Sequence, residues 1–159
     1  MQAAGKSAPG LAQDEAAQEE PLQAVVLCDV FNQRFAPLTL DVPRCLMPVC
    51  NVPLIEWTLE TLAIAGVQEV FLLATWHVQR IREYLETHHA SLLRPAAGRG
   101  GGGGGPAQMK VSLIAVPEAR SVGDTMRELD AHQVIKGDFV LLHGDAAGNL
   151  DVALSLIHI

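Results

Sequence analysis

The sequence predicts an α/β fold with a Rossmann-like, mainly parallel sheet flanked by helices. Short apolar runs rich in β-branched residues alternate along the chain with segments whose apolar side chains recur at helical spacing. The resulting order is strand, helix, strand, helix, strand, helix, strand, in which each helix can carry the chain back to begin the next parallel strand. A length of 159 residues and an apolar share of 49% suit one domain with its own core.

The first predicted strand covers residues 22–28, where the run LQAVVLC is mostly apolar and suits a strand buried on both faces. A helix is predicted further along, with Asn51 as its cap, Pro53 in its first turn and Gly66 as its left-handed stop. The positions that recur at helical spacing in this helix are Leu54, Thr58, Leu62 and Ala65.

The later elements continue the alternation. The remaining strands are predicted at 67–74, 109–116 and 139–143. The second helix is marked by Val78, Ile81 and Leu85. The third helix covers 122–134 and begins near Ser121.

The domain organisation predicted from composition has three parts. Residues 1–20 are rich in Ala, Gln, Gly and acid without sustained periodicity, so they are expected to be a disordered leader. Residues 21–153 form a partial domain, incomplete at its C-terminus, because a parallel sheet of four strands leaves an unpaired edge and an uncovered apolar face. Residues 154–159 form an atypical tail.

A glycine-rich segment at 95–107 interrupts the domain. It contains the pattern GxGxxG at Gly100, Gly102 and Gly105, but it follows a helix and precedes a strand. A dinucleotide-binding fingerprint has the reverse order. Because polyglycine has no preferred conformation that could preorganise a ligand, we expect a flexible surface loop here rather than a phosphate site.

Charge and cysteine content narrow the function classes. Eleven Lys and Arg against 18 Asp and Glu give a net charge of −7, which argues against direct nucleic-acid or anionic-membrane partners. The chain has neither an apolar run of membrane-spanning length nor a signal-peptide pattern. The odd set of Cys28, Cys45 and Cys50 suits reduced thiols, and we therefore expect a cytosolic (cytoplasmic) protein.

Ligands of parallel α/β sheets bind beyond the carboxyl ends of the strands, which directs attention to Asp145 and to the segment SVGD at 121–124. Asp145 follows the apolar run FVLL at 139–142, and a carboxylate held there can coordinate Mg²⁺. The same residue can equally be a turn residue that caps the next segment. The sequence leaves these two roles open.

Several motifs resemble the opening of the nucleotide-sugar pyrophosphorylase (sugar nucleotidyltransferase-like) family. They are QRFAPLT at 33–39, PRCLMPV at 43–49, NVPLIEWTLE at 51–60 and AGV at 65–67. Their order and spacing carry the resemblance, which covers most of residues 22–151.

The resemblance also implies which site residues this chain has lost. Active members have a G-x-G-T-R loop after the first strand, but here Val30 and Asn32 stand at the glycine positions and Arg34 is retained. Arg44 stands at the position of the family's lysine, so Arg34 and Arg44 are expected to be vestigial phosphate-binding residues, and Gly123 is grouped with Val30 and Asn32 as a vestigial nucleotide-loop residue. Because side chains obstruct close approach of backbone N–H groups to a triphosphate, we expect a vestigial pocket. Mg²⁺ and nucleotide would bind weakly, and no cofactor is required.

A degraded loop of this kind is similar to that of non-catalytic family members that are subunits of eukaryotic initiation factor 2B, a guanine-nucleotide exchange complex. The similarity includes residues 120–130 and 143–150. It implies a structural or regulatory domain whose partners are the other subunits of that complex, especially the gamma paralogue, and the GTP-binding initiation factor two. The exchange domain would lie outside this chain. The alternative is an active enzyme that makes nucleotide sugars, with Arg34 and Arg44 on the phosphates and Asp145 on Mg²⁺.

Overall fold

The computed structural model describes residues 21–28, 31, 35–90, 109–148 and 152. Within these ranges the main strands and helices follow the predicted order. The elements are β1 (Gln23–Leu27), α1 (Leu38–Asp41), a 3₁₀ turn (Arg44–Leu46), β2 (Pro48–Val49), β3 (Val52–Pro53), α2 (Leu54–Ile64), β4 (Glu69–Ala74), α3 (Val78–His88), β5 (Lys110–Ala115), α4 (Val122–Ala131) and β6 (Phe139–His143).

The four longer strands form a parallel sheet in the order β5-β4-β1-β6. Val25 in the middle of β1 is level with Phe71 of β4 and Leu141 of β6. The chain moves from β1 outwards to β4 and β5, then returns past β4 and β1 to β6. Because parallel crossovers are right-handed, this reversal places α4 on the opposite face of the sheet from α2 and α3.

One face of the sheet packs against α2 and α3. Ala24 and Val26 of β1 and Leu72 of β4 point to this side, where they meet the buried side chains of the two helices. The helix residues that contribute to this cluster are Ile55, Leu59, Leu62, Ile81 and Leu85. β1 is therefore buried on both faces, as its apolar run predicts.

The other face packs against α4. Val25, Leu27, Phe71 and Leu73 form a smaller buried cluster with Leu129 of α4. Phe139 and Leu141 of the edge strand β6 lie on this side and are 37% and 45% exposed. Among the described residues, β6 therefore contributes exposed apolar side chains to this face of the sheet.

The start of α2 differs from the sequence prediction. Asn51 does not cap the helix, because Cys50 and Asn51 take left-handed backbone angles (φ 53° and 64°) in the tight turn between β2 and β3. Pro53 is the cap residue instead, with no side-chain hydrogen bond. Gly66 takes the predicted left-handed conformation after the helix (φ 79°).

The sequence favours core or interface positions for Trp57 and Trp76 over a base-stacking role, because no basic stripe accompanies them, and both lie at the surface. Trp57 is 38% exposed and Trp76 is 70% exposed, so the core alternative is wrong for both. No helix within the described ranges is long and apolar enough to cross a membrane. The predicted leader (1–20), glycine-rich loop (95–107) and tail (154–159) lie outside the described residues, and so does Ala153 at the end of the predicted domain.

Candidate functional site

The strand order places a crevice between β1 and β6. The crossover from β1 leads to one side of the sheet and the crossover into β6 comes from the other, so the carboxyl ends of these two strands form the topological switch point. Ligands of open α/β sheets bind at such points because the loops diverge there. Among the described residues, the turn after β6 and the 3₁₀ turn before β2 meet at this crevice.

A glycine holds the turn after β6 close to the sheet. The Gly144 N–H donates to the carbonyl of Leu27 at 2.8 Å. A Cβ at this position would lie 3.2 Å from Val26 Cγ1 and 3.3 Å from Cys45 Cβ, closer than most real contacts. The Thr58 hydroxyl of α2 donates to the Ala146 carbonyl at 3.2 Å. The residue between these two anchors, Asp145, is thus held in a defined position.

Asp145 forms an ion pair with Arg44. Arg44 Nε lies 2.7 Å from Asp145 Oδ2, and the two side chains are 23% and 11% exposed. The guanidinium also lies over the ring of Phe35, with Cζ 4.3 Å from the ring centroid, which is a cation–π distance. The structure therefore brings together the predicted metal ligand and one predicted phosphate ligand.

This arrangement restricts what the crevice can bind. A metal ion on Asp145 would have to compete with the guanidinium for the carboxylate, and a phosphate on Arg44 would have to compete with the carboxylate. Among the described residues, no group of three or more His, Cys, Asp or Glu is placed to hold a metal ion. An ion that entered the crevice would depend on water or on a ligand's own oxygens for its remaining coordination.

The segment SVGD forms a capped helix start. Ser121 is the cap of α4, as predicted, and its hydroxyl oxygen accepts from the Asp124 N–H at 3.1 Å. The hydroxyl donates to Asp124 Oδ2 at 2.9 Å, and Arg127 Nη1 lies 2.5 Å from Oδ1. These bonds lower the pKa of the Asp124 carboxyl, chiefly through Ser121, with the Arg120 N–H and Arg127 contributing less. A cavity of about 400 Å³ adjoins this helix start.

Gly123 lies in the first turn of α4, away from the ion pair. A Cβ there would meet Ser121 Oγ at 3.7 Å and Arg127 Nη2 at 3.9 Å, which are ordinary contacts, so the protein itself does not require glycine at this position. α4 follows β5, and two strands separate β5 from β6. At the usual strand spacing, the two loops leave the sheet about 14 Å apart.

The other predicted site residues, Val30, Asn32 and Arg34, lie outside the described residues. Sequence reasoning missed Phe35 as a partner of Arg44, although the residue stands in one of the quoted motifs. It also missed the packing of Gly144 against β1 and Cys45, for which the only signal was a glycine directly after a buried strand.

Solved structures place this architecture in a class. HddC from Yersinia pseudotuberculosis has a TM-score of 0.65 and 20% identity, over 86% of this chain and 53% of that one. UDP-glucose pyrophosphorylase complexed with UDP-glucose has a TM-score of 0.62 and 14% identity, over 87% of this chain and 54% of that one. The chain has the α/β fold of the nucleotidyltransferases, or pyrophosphorylases.

Curated relatives point to a particular kind of protein, whereas the solved structures show the fold alone. The chain is 47% identical to translation initiation factor eIF2B subunit epsilon of Schizosaccharomyces pombe over 81% of its own length, and 36% identical to that of Dictyostelium discoideum over 90%. These matches confirm the resemblance to eIF2B epsilon and support an N-terminal nucleotidyltransferase-like part of such a subunit. The aligned parts make up 17% and 18% of the two relatives, so the chain spans less than a fifth of their length. No protein-family model matches the chain.

Proposed function

We propose that the chain is a structural and regulatory domain of a guanine-nucleotide exchange factor subunit in translation initiation, with a degenerate nucleotidyltransferase pocket. In this proposal the domain itself catalyses no nucleotidyl transfer and needs no cofactor, and the exchange domain belongs to another part of the parent subunit. The protein acts in the cytosol with the other eIF2B subunits, especially the gamma paralogue, on the GTP-binding initiation factor two.

The observation that carries the loss of catalysis is the ion pair between Arg44 and Asp145. A transferase needs its carboxylate on Mg²⁺ and its cation on phosphate oxygens in the transition state. Here the two charges neutralise each other at 2.7 Å, and the Phe35 ring stacks on the guanidinium. Weak Mg²⁺ or nucleotide binding is compatible with this pairing, because a ligand can displace a partly exposed pair at a cost.

The similarity to eIF2B epsilon supports the assembly role. Identities of 47% and 36% over most of this chain far exceed the 14–20% identity to the solved nucleotidyltransferases. A surface that serves assembly needs exposed apolar side chains, and Trp57, Trp76 and Leu141 provide them.

The second candidate function is an active sugar-phosphate nucleotidyltransferase. The fold shared with UDP-glucose pyrophosphorylase favours it, as does the position of Arg44 and Asp145 at the switch point of the sheet. In that case substrate binding would separate the two side chains and direct them to phosphate and metal.

The test of catalysis measures Mg²⁺-dependent pyrophosphate release by the 159-residue chain, with nucleoside triphosphates and sugar 1-phosphates. Circular dichroism and cooperative urea unfolding first establish that the chain is folded. We expect no release above the level of an Asp145→Asn variant. Turnover that is abolished in that variant would establish the enzyme and refute the degenerate pocket.

The assembly role is tested with the full-length parent subunit. We expect it to co-purify with the gamma subunit and with the remaining eIF2B subunits. We also expect the 159-residue chain alone not to accelerate GDP release from the GTP-binding factor. A parent subunit that purifies without any of these partners would contradict the proposal.

A further inference from the structure

Residues 35–41, which lead into the 3₁₀ turn and include α1, lie on the protein surface; we call them the strap. All seven belong to the described part of the chain, and six are exposed while Thr39 is half-buried. The apolar side chains of Leu38 and Leu40 are 65% and 66% exposed. Because a single helical turn that buries no apolar side chain is not stable by itself in water, other contacts must hold the strap in place.

Two side chains at the start of α3 bind the main chain of the strap. His77 Nε2 lies 3.3 Å from the Thr39 carbonyl oxygen, and because a carbonyl only accepts, this ring nitrogen is the donor. Arg80 donates through Nη1 to the Asp41 carbonyl. Both acceptors lie at the end of α1, where the carbonyls of a helix have no partner within it. The two bonds therefore satisfy acceptors of the strap and fix it to α3.

The backbone of His77 supports this role. His77 is the cap residue of α3 and takes left-handed angles (φ 51°, ψ 25°), yet its side chain makes no capping bond to the described residues of α3. A residue other than glycine stores strain in this conformation, and such strain persists where the surroundings hold the residue for a purpose. Here the ring is directed away from its own helix, to Thr39 of the strap.

The other end of the strap lies on Arg44. The Phe35 ring covers the guanidinium with Cζ 4.3 Å from the ring centroid, while Arg44 Nε lies 2.7 Å from Asp145 Oδ2. The Thr39 N–H donates to the Phe35 carbonyl at 3.3 Å, so the residue bonded to His77 and the residue on Arg44 belong to one turn of chain. An anion binds a guanidinium in its plane. Arg44 must therefore turn away from Asp145 to receive one, and the stacked ring resists this turn.

We infer that His77 and Arg80 are positioning residues of an autoinhibitory contact. By holding the strap they keep Phe35 on Arg44, and this lowers the affinity of the crevice for a ligand that carries phosphate groups. The inference rests on the proposed function, because it takes Arg44 as the vestigial phosphate-binding residue. His77 and Arg80 themselves do not contact the phosphate ligand; they act through the strap.

The test measures binding of inorganic pyrophosphate to the 159-residue chain by isothermal titration calorimetry. Arg80→Ala is compared with Arg82→Ala, which removes the same charge from another exposed position of α3, one with no bond to the strap among the described residues. We expect Arg80→Ala to bind about two- to fivefold more tightly than Arg82→Ala, the range that corresponds to the loss of an exposed cation–π contact. Arg80→Lys can still donate to the Asp41 carbonyl and should return the affinity towards that of the unaltered chain.

A second background shows whether Arg80 acts through Phe35. Phe35→Ala alone should strengthen pyrophosphate binding by the same two- to fivefold. When Arg80→Ala and Arg82→Ala are each added to Phe35→Ala, the two double variants should bind alike, because the ring that the strap positions is already absent. Equal affinities of the two single arginine variants, or a full Arg80→Ala effect in the absence of the ring, would overturn the inference.

The NMR resonance of the Arg44 Nε–H reports on the strap without any ligand, because the Phe35 ring current shifts it. Its loss in Arg44→Lys assigns it. Arg80→Ala should move the resonance in the same direction as Phe35→Ala does, whereas Arg82→Ala should leave it in place. An unmoved resonance in Arg80→Ala would also overturn the inference. Mg²⁺-dependent pyrophosphate release in the test of catalysis would instead refute the proposed function, and the two failures are thus distinguishable.

Discussion

The two faces of the central sheet differ in how completely helices cover them. On the face of α2 and α3, residues such as Val26, Leu62 and Leu72 are fully buried. On the face of α4, Val25 and Leu73 are buried near the middle of the sheet, but Leu141 of β6 remains 45% exposed. β6 is an edge strand in the described sheet, and its apolar side chains on this face are not among the residues packed around Leu129 of α4.

This difference shows that an apolar run can determine that a strand forms without determining how far its side chains are buried. The apolar run of β6 forms a strand whether or not its outer side is covered, because pairing with β1 supplies the backbone hydrogen bonds. The contribution of β6 to stability, however, depends on the side chains that pack against it. We therefore expect the free energy of folding to come mainly from the α2–α3 face.

The largest expected effect is on the free energy of unfolding, when leucine is replaced by alanine on each of the two faces in turn. Leu62→Ala removes a fully buried side chain of α2 and should lower the free energy of unfolding by about 2–5 kcal/mol. Leu141→Ala removes a half-exposed side chain and should cost less than about 1 kcal/mol. Urea unfolding followed by circular dichroism measures both. Equal losses in the two variants would show that the β6 face is covered in solution.

The next effect concerns the residue that joins β6 to the well-packed face. Gly144→Ala places a methyl group against Val26, Cys45 and the Leu27 carbonyl, and should destabilise the protein by about 1–3 kcal/mol. Gly148→Ala is the matched control, because a Cβ at that position would meet nothing within 4 Å, and it should be neutral or slightly stabilising. A fully stable Gly144→Ala protein would mean that the turn after β6 is not held as closely as the structure has it.

The elements were predictable from sequence where a local signal determined them. The apolar run of β6 and the Ser121 cap of α4 depend on neighbouring residues only, and both were confirmed. Asn51 was misassigned because asparagine favours helix caps and also tolerates the left-handed conformation of a tight turn, and here the pairing of β2 with β3 decided the outcome.

The candidate site was predictable only in part. Arg44 and Asp145 were selected separately, from the resemblance and from the position after a strand, but their pairing joins residues far apart in sequence. The same is true of Glu56, Tyr84 and His89, which no local spacing connects. Such contacts follow from how α2, α3 and β6 are packed, and this information is not carried by periodicity or capping signals.

The smallest expected effect concerns α4, the helix that covers part of the less protected face. Ser121→Ala removes the cap and should lower the free energy of unfolding by about 1 kcal/mol at neutral pH. Ser121→Thr keeps a hydroxyl at the cap and should therefore lower the free energy of unfolding by much less than Ser121→Ala. If urea unfolding shows the same loss for both variants, the hydroxyl is not the stabilising group.

The same variant should change the titration of Asp124. The Ser121 hydroxyl is the main cause of the lowered pKa of this carboxyl, so in Ser121→Ala the pKa should rise towards its ordinary value. A lowered pKa in the folded state stabilises the protein above the pKa of the unfolded chain, and this contribution is lost as the pH falls through the folded value. The stability difference between the two proteins should therefore narrow on acidification through that range. NMR titration of the Asp124 carboxyl measures the shift directly, and an unchanged pKa in Ser121→Ala would assign the lowering to Arg120 and Arg127 instead.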